Sequence, residues 1–284
     1  MIPAAFDYEV AESTDHAVQL LGEHGDDAKL LAGGHSLLPL MKLRLARPSV
    51  LIDIGGLSDL AYIKDAGNHV EIGALTRMCD IAASDLLRRH CGLIAEAAGH
   101  VGDPQVRHRA TIGGSLAHGD PASDPPVALL TVDAELVVRG PGGERTVPAS
   151  GFFTNFFETA LGPQDLLTSV RVPKLAAGTG WSYQKFHRRA IDWAIVGVAA
   201  LVERDDGTVK HAAVGLTNMA TTPLRAAGVE SALAGGPASA EAFAEAAAHA
   251  PEGTNPPSDT NASAEYRTAL SSILVRRALE AAVA

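Results

Sequence analysis

The sequence predicts an α+β chain built in three successive regions, and three observations carry that expectation. Apolar runs of strand length alternate with helix-period segments from residue 14 onward. Paired glycines, Gly55-Gly56, stop the first such alternation. A Gly/Ala-rich stretch from Lys174 to Gly180 then precedes a change to longer strands followed by helices. The regions so marked are residues 1–55, 56–176 and 177–284.

In the first region Thr14 opens a helix through Leu21, and Lys29 to Leu31 form a short buried strand. Residues 37–45 form a helix with Ser36 as its N-cap, and Val50 to Ile54 form a second buried strand. The second region carries hairpins around Asp65-Ala66-Gly67-Asn68 and Pro141-Gly142-Gly143. Between them lie an alanine-rich helix over 85–99 and a helix opened by Asp124-Pro125-Pro126. In the third region Trp181 to His187, Ala194 to Glu203 and Val209 to Leu216 read as strands, with Asp205-Asp206-Gly207 as a turn. Helices follow at 223–234, 238–249 and 264–283, and residues 251–261 have the composition of an exposed linker.

Composition narrows the function classes. At 284 residues the chain is long enough for more than one core. A net charge of -10 argues against nucleic acid, which needs a concentrated basic face, and the run Arg107-His108-Arg109 is too short to supply one. No apolar stretch approaches the roughly 20 residues of a membrane span, and Met1 to Asp7 lack the pattern of a secretion signal. The expectation is a soluble cytoplasmic protein. The two cysteines, Cys79 and Cys91, are too few to hold an iron-sulfur cluster, and no histidines have zinc-site spacing. Redox chemistry would therefore need an organic cofactor, and no metal site is expected.

Two segments carry the functional signal. Leu31-Ala32-Gly33-Gly34-His35-Ser36-Leu37 and Thr111-Ile112-Gly113-Gly114-Ser115 each place a Gly-Gly pair after an apolar run and end near a hydroxyl. One such pair alone is an ordinary turn or helix start. Two of them read as halves of a phosphate cradle: glycines at positive φ let successive N–H groups converge on a pyrophosphate, and Ser36 and Ser115 add hydroxyl donors. There is no G-x-G-x-x-G, no Walker loop and no G-x-S-x-G elbow.

Residues 30–47 and 110–126, with Tyr183 to Arg189 and Ala194 to Val202, resemble the FAD-binding medium subunit of the molybdenum hydroxylases. The likeness covers nearly the whole chain, and Ser115-Leu116-Ala117-His118 is most similar to the carbon monoxide dehydrogenase branch. The resemblance implies a vanillyl-alcohol-oxidase-type (PCMH-type) fold in which subdomains 1–55 and 56–176 clasp an extended FAD. Residues 177–284 would form a C-terminal domain of the carbon monoxide dehydrogenase flavoprotein type.

The same resemblance implies that FAD is held non-covalently by the main chain of 31–37 and 111–115, even though His35 and His118 raise the question of covalent attachment. Asp124 falls where relatives place a carboxylate on the FAD sugar; it also reads as an N-cap, and the two roles are compatible. Lys185 is placed near the flavin ring, against the alternative of a surface lysine. Trp193 is placed facing the isoalloxazine, against packing under the C-terminal domain. Ser115 departs from the Asn of many relatives, which affects a side-chain contact and leaves the backbone cradle intact.

The implied function is electron transfer, with no acid or base residue required of this chain. Its implied partners are a small subunit with two [2Fe-2S] clusters and a large subunit with the molybdenum cofactor, in a dimer of heterotrimers. Any membrane association would run through those partners. A free-standing FAD-dependent oxidase or dehydrogenase and a non-catalytic scaffold of the same fold stay open. A visible spectrum separates the scaffold, and co-purifying iron and molybdenum subunits separate the other two. Substrate and final acceptor, whether quinone, NAD or oxygen, are not legible.

Overall fold

Three main sheets and one two-stranded hairpin organise the computed structural model, which describes residues 1–284. The first sheet is parallel and three-stranded, with β3 (Val50–Asp53) between β1 (Asp7–Val10) and β2 (Ala28–Leu31). Helix α1 (Thr14–His24) buries Ala17, Leu20 and Leu21 in one cluster with Ala28, Val50 and Ile52. Ser13 starts α1 by accepting from the His16 amide at 3.1 Å, and the strand alternation turns Leu51 to the opposite face. Helix α2 (Leu37–Lys42) stops short of the expected residue 45, because Arg44 sits at φ 58° and cannot continue a right-handed helix.

The second region is an antiparallel sheet in the order β4-β5-β10-β6-β7, where β4 is Ile63–Asp65, β5 is His69–Gly73, β6 is Glu135–Gly140, β7 is Gly143–Pro148 and β10 is Leu166–Pro173. Both expected hairpins are present in it. Its helices are α3 (Met78–Ala83), α4 (Asp85–Gly99), α5 (Pro104–Arg107), α6 (Ile112–His118), α7 (Asp124–Thr131) and α8 (Ala149–Phe152). A small hairpin, β8 (Phe153–Asn155) with β9 (Glu158–Thr159), precedes β10.

The third region is an antiparallel sheet, β11 (Gly180–Phe186), β12 (Val196–Asp205), β13 (Thr208–Thr217) and β14 (Leu224–Arg225), with α9 (Ala227–Leu233), α10 (Ala240–Ala247) and α11 (Ala264–Val283). The helix expected from 223 therefore begins only at 227, since residues 224–225 join the sheet. Strand β12 carries no polar side chain from Val196 to Val202 because both its faces are covered there. Val196, Val198, Ala200 and Val202 pack with the helices, whereas Ala199 and Leu201 enter the core of the second region together with Tyr183.

That shared core is tight where α4 meets β11. Helix α4 kinks at Cys91 (φ -160°, ψ 69°), and a Cβ on the next residue, Gly92, would lie 2.2 Å from the ring of Trp181. Gly92→Ala is expected to lower stability by about 1–3 kcal/mol through overpacking, seen as a lower Tm. An unchanged Tm would show that the kink absorbs the methyl group.

Candidate functional site

A cleft of about 600 Å³ lies where the first two regions meet, and both Gly-Gly segments border it. The size is that of a small-molecule or cofactor site. The β2–α2 connection supplies Ala32 to Leu37, and α6 with its N-cap supplies Thr111, Gly113, Gly114, Ser115 and His118.

The first segment is a backbone donor site. Gly34 holds φ 74°, and the amides of Gly33, Gly34, His35, Ser36 and Leu37 find no acceptor anywhere in the chain. Five successive N–H groups left free beside a cleft form an anion nest, because unpaired amides are rare in folded proteins and concentrate positive potential. Ser36 does not act as the expected N-cap: it has αR backbone angles and its side chain makes no capping bond. Its hydroxyl borders the cleft instead.

The second segment is built differently. Gly113 and Gly114 lie inside α6 with helical φ, so the expected second nest does not form. Their donors are already used: the Gly113 amide donates to Ala74 O at 2.8 Å and the Gly114 amide to Thr111 Oγ1 at 3.2 Å. What these glycines provide is proximity. A Cβ on Gly113 would lie 2.6 Å from Ala74 Cβ, and one on Gly114 would meet only Thr111 Oγ1, at 3.0 Å. Gly113 thus seats α6 on the second sheet, and Gly114 keeps the cleft floor flat. Gly33 joins the two halves, since its Cβ would lie 2.2 Å from the Arg109 carbonyl oxygen.

The β8–β9 hairpin closes the cleft with Thr154, Phe157, Glu158 and Thr159, none of which the sequence reading identified. Phe157 holds φ 55° and packs against His118 in a tilted ring contact, with centroids 4.9 Å apart and planes inclined by 55°. Burial lowers the His118 pKa, which favours a neutral ring. The available signal was the pair of Phe-Phe doublets at 152–153 and 156–157, the second of which stays solvent-exposed on a turn.

Residues 4–175 match the family described as FAD binding domain in molybdopterin dehydrogenase, and residues 181–282 match the CO dehydrogenase flavoprotein C-terminal domain. The chain belongs to the FAD-binding medium subunits of the molybdenum hydroxylases. It is 46% identical over 282 residues to the carbon monoxide dehydrogenase medium chain of Hydrogenophaga pseudoflava, covering 99% of this chain and 98% of that one. It is 38% identical to the 6-hydroxypseudooxynicotine dehydrogenase complex subunit alpha of Paenarthrobacter nicotinovorans, over 100% of this chain and 96% of that one. Among solved structures, carbon monoxide dehydrogenase from Hydrogenophaga pseudoflava lacking the Mo-pyranopterin moiety matches with TM-score 0.97 and 47% identity, covering 99% of this chain and 98% of that one. The expected α+β flavoprotein fold and the FAD assignment agree with these matches.

The free amides fit the pyrophosphate of such a cofactor, and Lys29 is the one cationic side chain bordering the cleft. Leu31 and Ile112 stand behind the lining, with Ile112 fully buried. Asp124, Lys185 and Trp193 do not border the cleft. Asp124 is not an N-cap, because Ser123 holds that position and the Asp124 side chain points elsewhere. It accepts from Lys185 Nζ at 2.8 Å and from the Tyr183 hydroxyl at 2.6 Å, in a setting closed to water. Burial pushes its carboxyl pKa up, opposed by the adjacent ammonium. Lys185 also donates to His100 O at 2.9 Å, so it is no surface lysine. Trp193 is 54% exposed on the connection between β11 and β12, which excludes the alternative of burial under the third region. No helix is long and apolar enough to cross a membrane.

Proposed function

We propose that this chain is the electron-exit subunit of a carbon monoxide dehydrogenase-type molybdenum hydroxylase. Electrons would arrive from [2Fe-2S] clusters in a small partner subunit and leave to an external acceptor. The observation that carries the reading is the run of five free amides from Gly33 to Leu37 beside the cleft. Bound FAD would supply one- and two-electron exchange, which a chain with two cysteines cannot supply from its own side chains.

The residues have separable tasks in this reading. Amides 33–37 and the Ser36 hydroxyl hold the pyrophosphate without covalent attachment, and Ser115 adds a hydroxyl from the opposite wall. Asp124 and Lys185 form a fixed charge pair at the junction of the second and third regions, and the enclosed Lys185 ammonium would act on the flavin through its field and not by contact. Trp193 shields the ring from water. No side chain is asked to move a proton.

The chain would sit in the cytoplasm in a dimer of heterotrimers with the iron-sulfur and molybdenum subunits. Relatives named carbon monoxide dehydrogenase medium chain are 46% and 40% identical, above the 38% of the 6-hydroxypseudooxynicotine dehydrogenase subunit. That ordering supports carbon monoxide as the substrate oxidised in the partner.

The test is rapid mixing of the whole complex with substrate, following cluster and flavin absorbance separately. Removing FAD should leave cluster reduction intact and stop electron delivery to the acceptor, and acid precipitation should release free FAD. Unchanged acceptor reduction without FAD, or flavin retained on the denatured chain, would reject the assignment.

A further inference from the structure

Two carboxylates border the cofactor cleft, Glu158 and Asp165, and each would repel an anionic cofactor if left uncompensated. Glu158 is exposed, so water and salt screen its charge. The Asp165 side chain is only 12% exposed, which leaves its charge poorly screened in the same cleft as the five free amides. Its place in the wall is demanding as well. Leu166, the next residue, packs into the core of the first region, and Leu167 packs into the core of the second. Residues 160–167 thus form the wall where the two halves of the cleft meet.

Asp165 fixes this wall through a local turn. The Gly162 amide donates to Asp165 Oδ2 at 2.6 Å, and the Asp165 amide donates back to Gly162 O at 3.1 Å. Arg145 on β7 then reaches past the end of β6: its Nη1 donates to Asp165 Oδ1 at 2.9 Å and its Nη2 to Oδ2 at 2.7 Å. Nη2 also donates to Ala160 O at 3.0 Å, so one guanidinium ties both ends of the 160–165 segment. The crossing needs a glycine at the end of β6, since a Cβ on Gly140 would lie 2.4 Å from Asp165 Oδ1. A planar fork set on a carboxylate at two points holds a full positive charge against it. Arg145 itself does not border the cleft, and its ion pair is with Asp165 alone.

We infer that Arg145 is a positioning residue for the cofactor: it neutralises Asp165, which can then hold the 160–165 wall without repelling the phosphates at the free amides of Gly33 to Leu37. The inference rests on FAD occupying this cleft, and titration of the wild type tests that reading by itself. The full-length chain is stripped of flavin, and its affinity for added FAD is measured by flavin fluorescence at low and high salt, with Tm alongside. The variants are Arg145→Gln, Arg145→Lys, Asp165→Asn, and Arg145→Gln combined with Asp165→Asn. Arg145 stands on an edge strand with 42% of its side chain exposed, so its variants should fold.

Arg145→Gln leaves a poorly screened carboxylate in the wall, so FAD should bind about tenfold more weakly at low salt, with the deficit shrinking as salt rises. Arg145→Lys keeps the charge and should stay within about threefold of wild type. Asp165→Asn should bind FAD at least as tightly as wild type, because its amide oxygen can still accept from Gly162 while the negative charge is gone. The double variant should recover the affinity that Arg145→Gln loses. A bridge that only holds the fold predicts a different pattern, in which both single variants lower Tm and shift FAD affinity alike. Equal weakening in the two, or wild-type affinity in Arg145→Gln, would overturn the inference and leave FAD in the cleft. Should Arg145→Gln fail to fold, Asp165→Asn still decides, since weaker FAD binding there would overturn the inference too. A wild-type chain that takes up no FAD would overturn both the inference and the reading on which it rests.

Discussion

A complex carrying Gly34→Val is expected to bind FAD about a hundredfold more weakly and to purify depleted of it. Gly34 holds φ 74°, a conformation that costs an L-residue about 1–2 kcal/mol and a β-branched one more. Its new Cβ would also lie 2.9 Å from Leu38 Cδ1 and 3.3 Å from Leu31 Cδ1, so the loop must move to admit it. Movement re-aims the amides of Gly33 to Leu37. Losing two hydrogen bonds to a charged group, each about 1.5–3 kcal/mol, is enough for a hundredfold fall in affinity. Gly114→Val separates cradle from strain. Its φ is helical and Val is no worse than Gly in a helix, so the fold should hold while the side chain rises into the cleft. Gly34→Val should therefore lose both FAD and thermal stability, whereas Gly114→Val should lose FAD alone. Acid-released flavin and Tm, measured on both, check this; normal occupancy in either variant shows that the cofactor does not depend on that glycine.

The contrast between these glycines also marks what could be read from sequence. A Gly-Gly after an apolar run announces a special backbone, and both segments do border the cleft. The sequence does not say whether such a glycine is needed for positive φ, as at Gly34, or for close packing, as at Gly33 and Gly113, because that depends on what the chain meets there. Long strands and helices were legible through period: α11 runs Ala264–Val283 as expected, and β11 to β13 match to within about two residues. Strand β1 was missed because Asp7-Tyr8-Glu9-Val10, although it alternates, is only four residues long and leaves its apolar side chains exposed, so no buried run marks it. The β8–β9 hairpin was missed because its tip, Phe156-Phe157, carries none of the Gly, Asn or Asp that usually mark a tight turn, and Phe157 takes the left-handed conformation without them. Asp124 looked like a cap because Asp-Pro-Pro is a local signal. Its real partners, Tyr183 and Lys185, stand 59 and 61 positions away, beyond any local pattern.

That buried pair supports the second large effect: Lys185→Met should destabilise the complex by about 3–5 kcal/mol at neutral pH, because it leaves Asp124 enclosed without its counter-charge. The pair bridges α7 and β11, so the loss should appear as loosened packing between the second and third regions, visible as faster amide exchange in those elements. The pH dependence has a definite sign. Burial raises the folded pKa of Asp124 above its ordinary 3.8, and removing Lys185 takes away the first of the influences that lower it. An acid with a raised folded pKa is stabilising below its unfolded pKa, and that contribution is lost as pH rises through the folded value. The deficit of Lys185→Met should therefore shrink towards acid pH and be fully developed above the raised pKa. Replacing both members, Asp124→Leu with Lys185→Met, should recover most of the stability, since an apolar pair of similar volume replaces a desolvated ion pair at little cost. The double variant then isolates any cofactor role. If the field of Lys185 reaches the flavin, the refolded double variant should bind FAD with a more negative flavin potential, because a cation favouring the reduced, anionic ring has been removed. A recovered Tm with an unaltered flavin potential would instead assign Lys185 and Asp124 to holding the two regions together and nothing more.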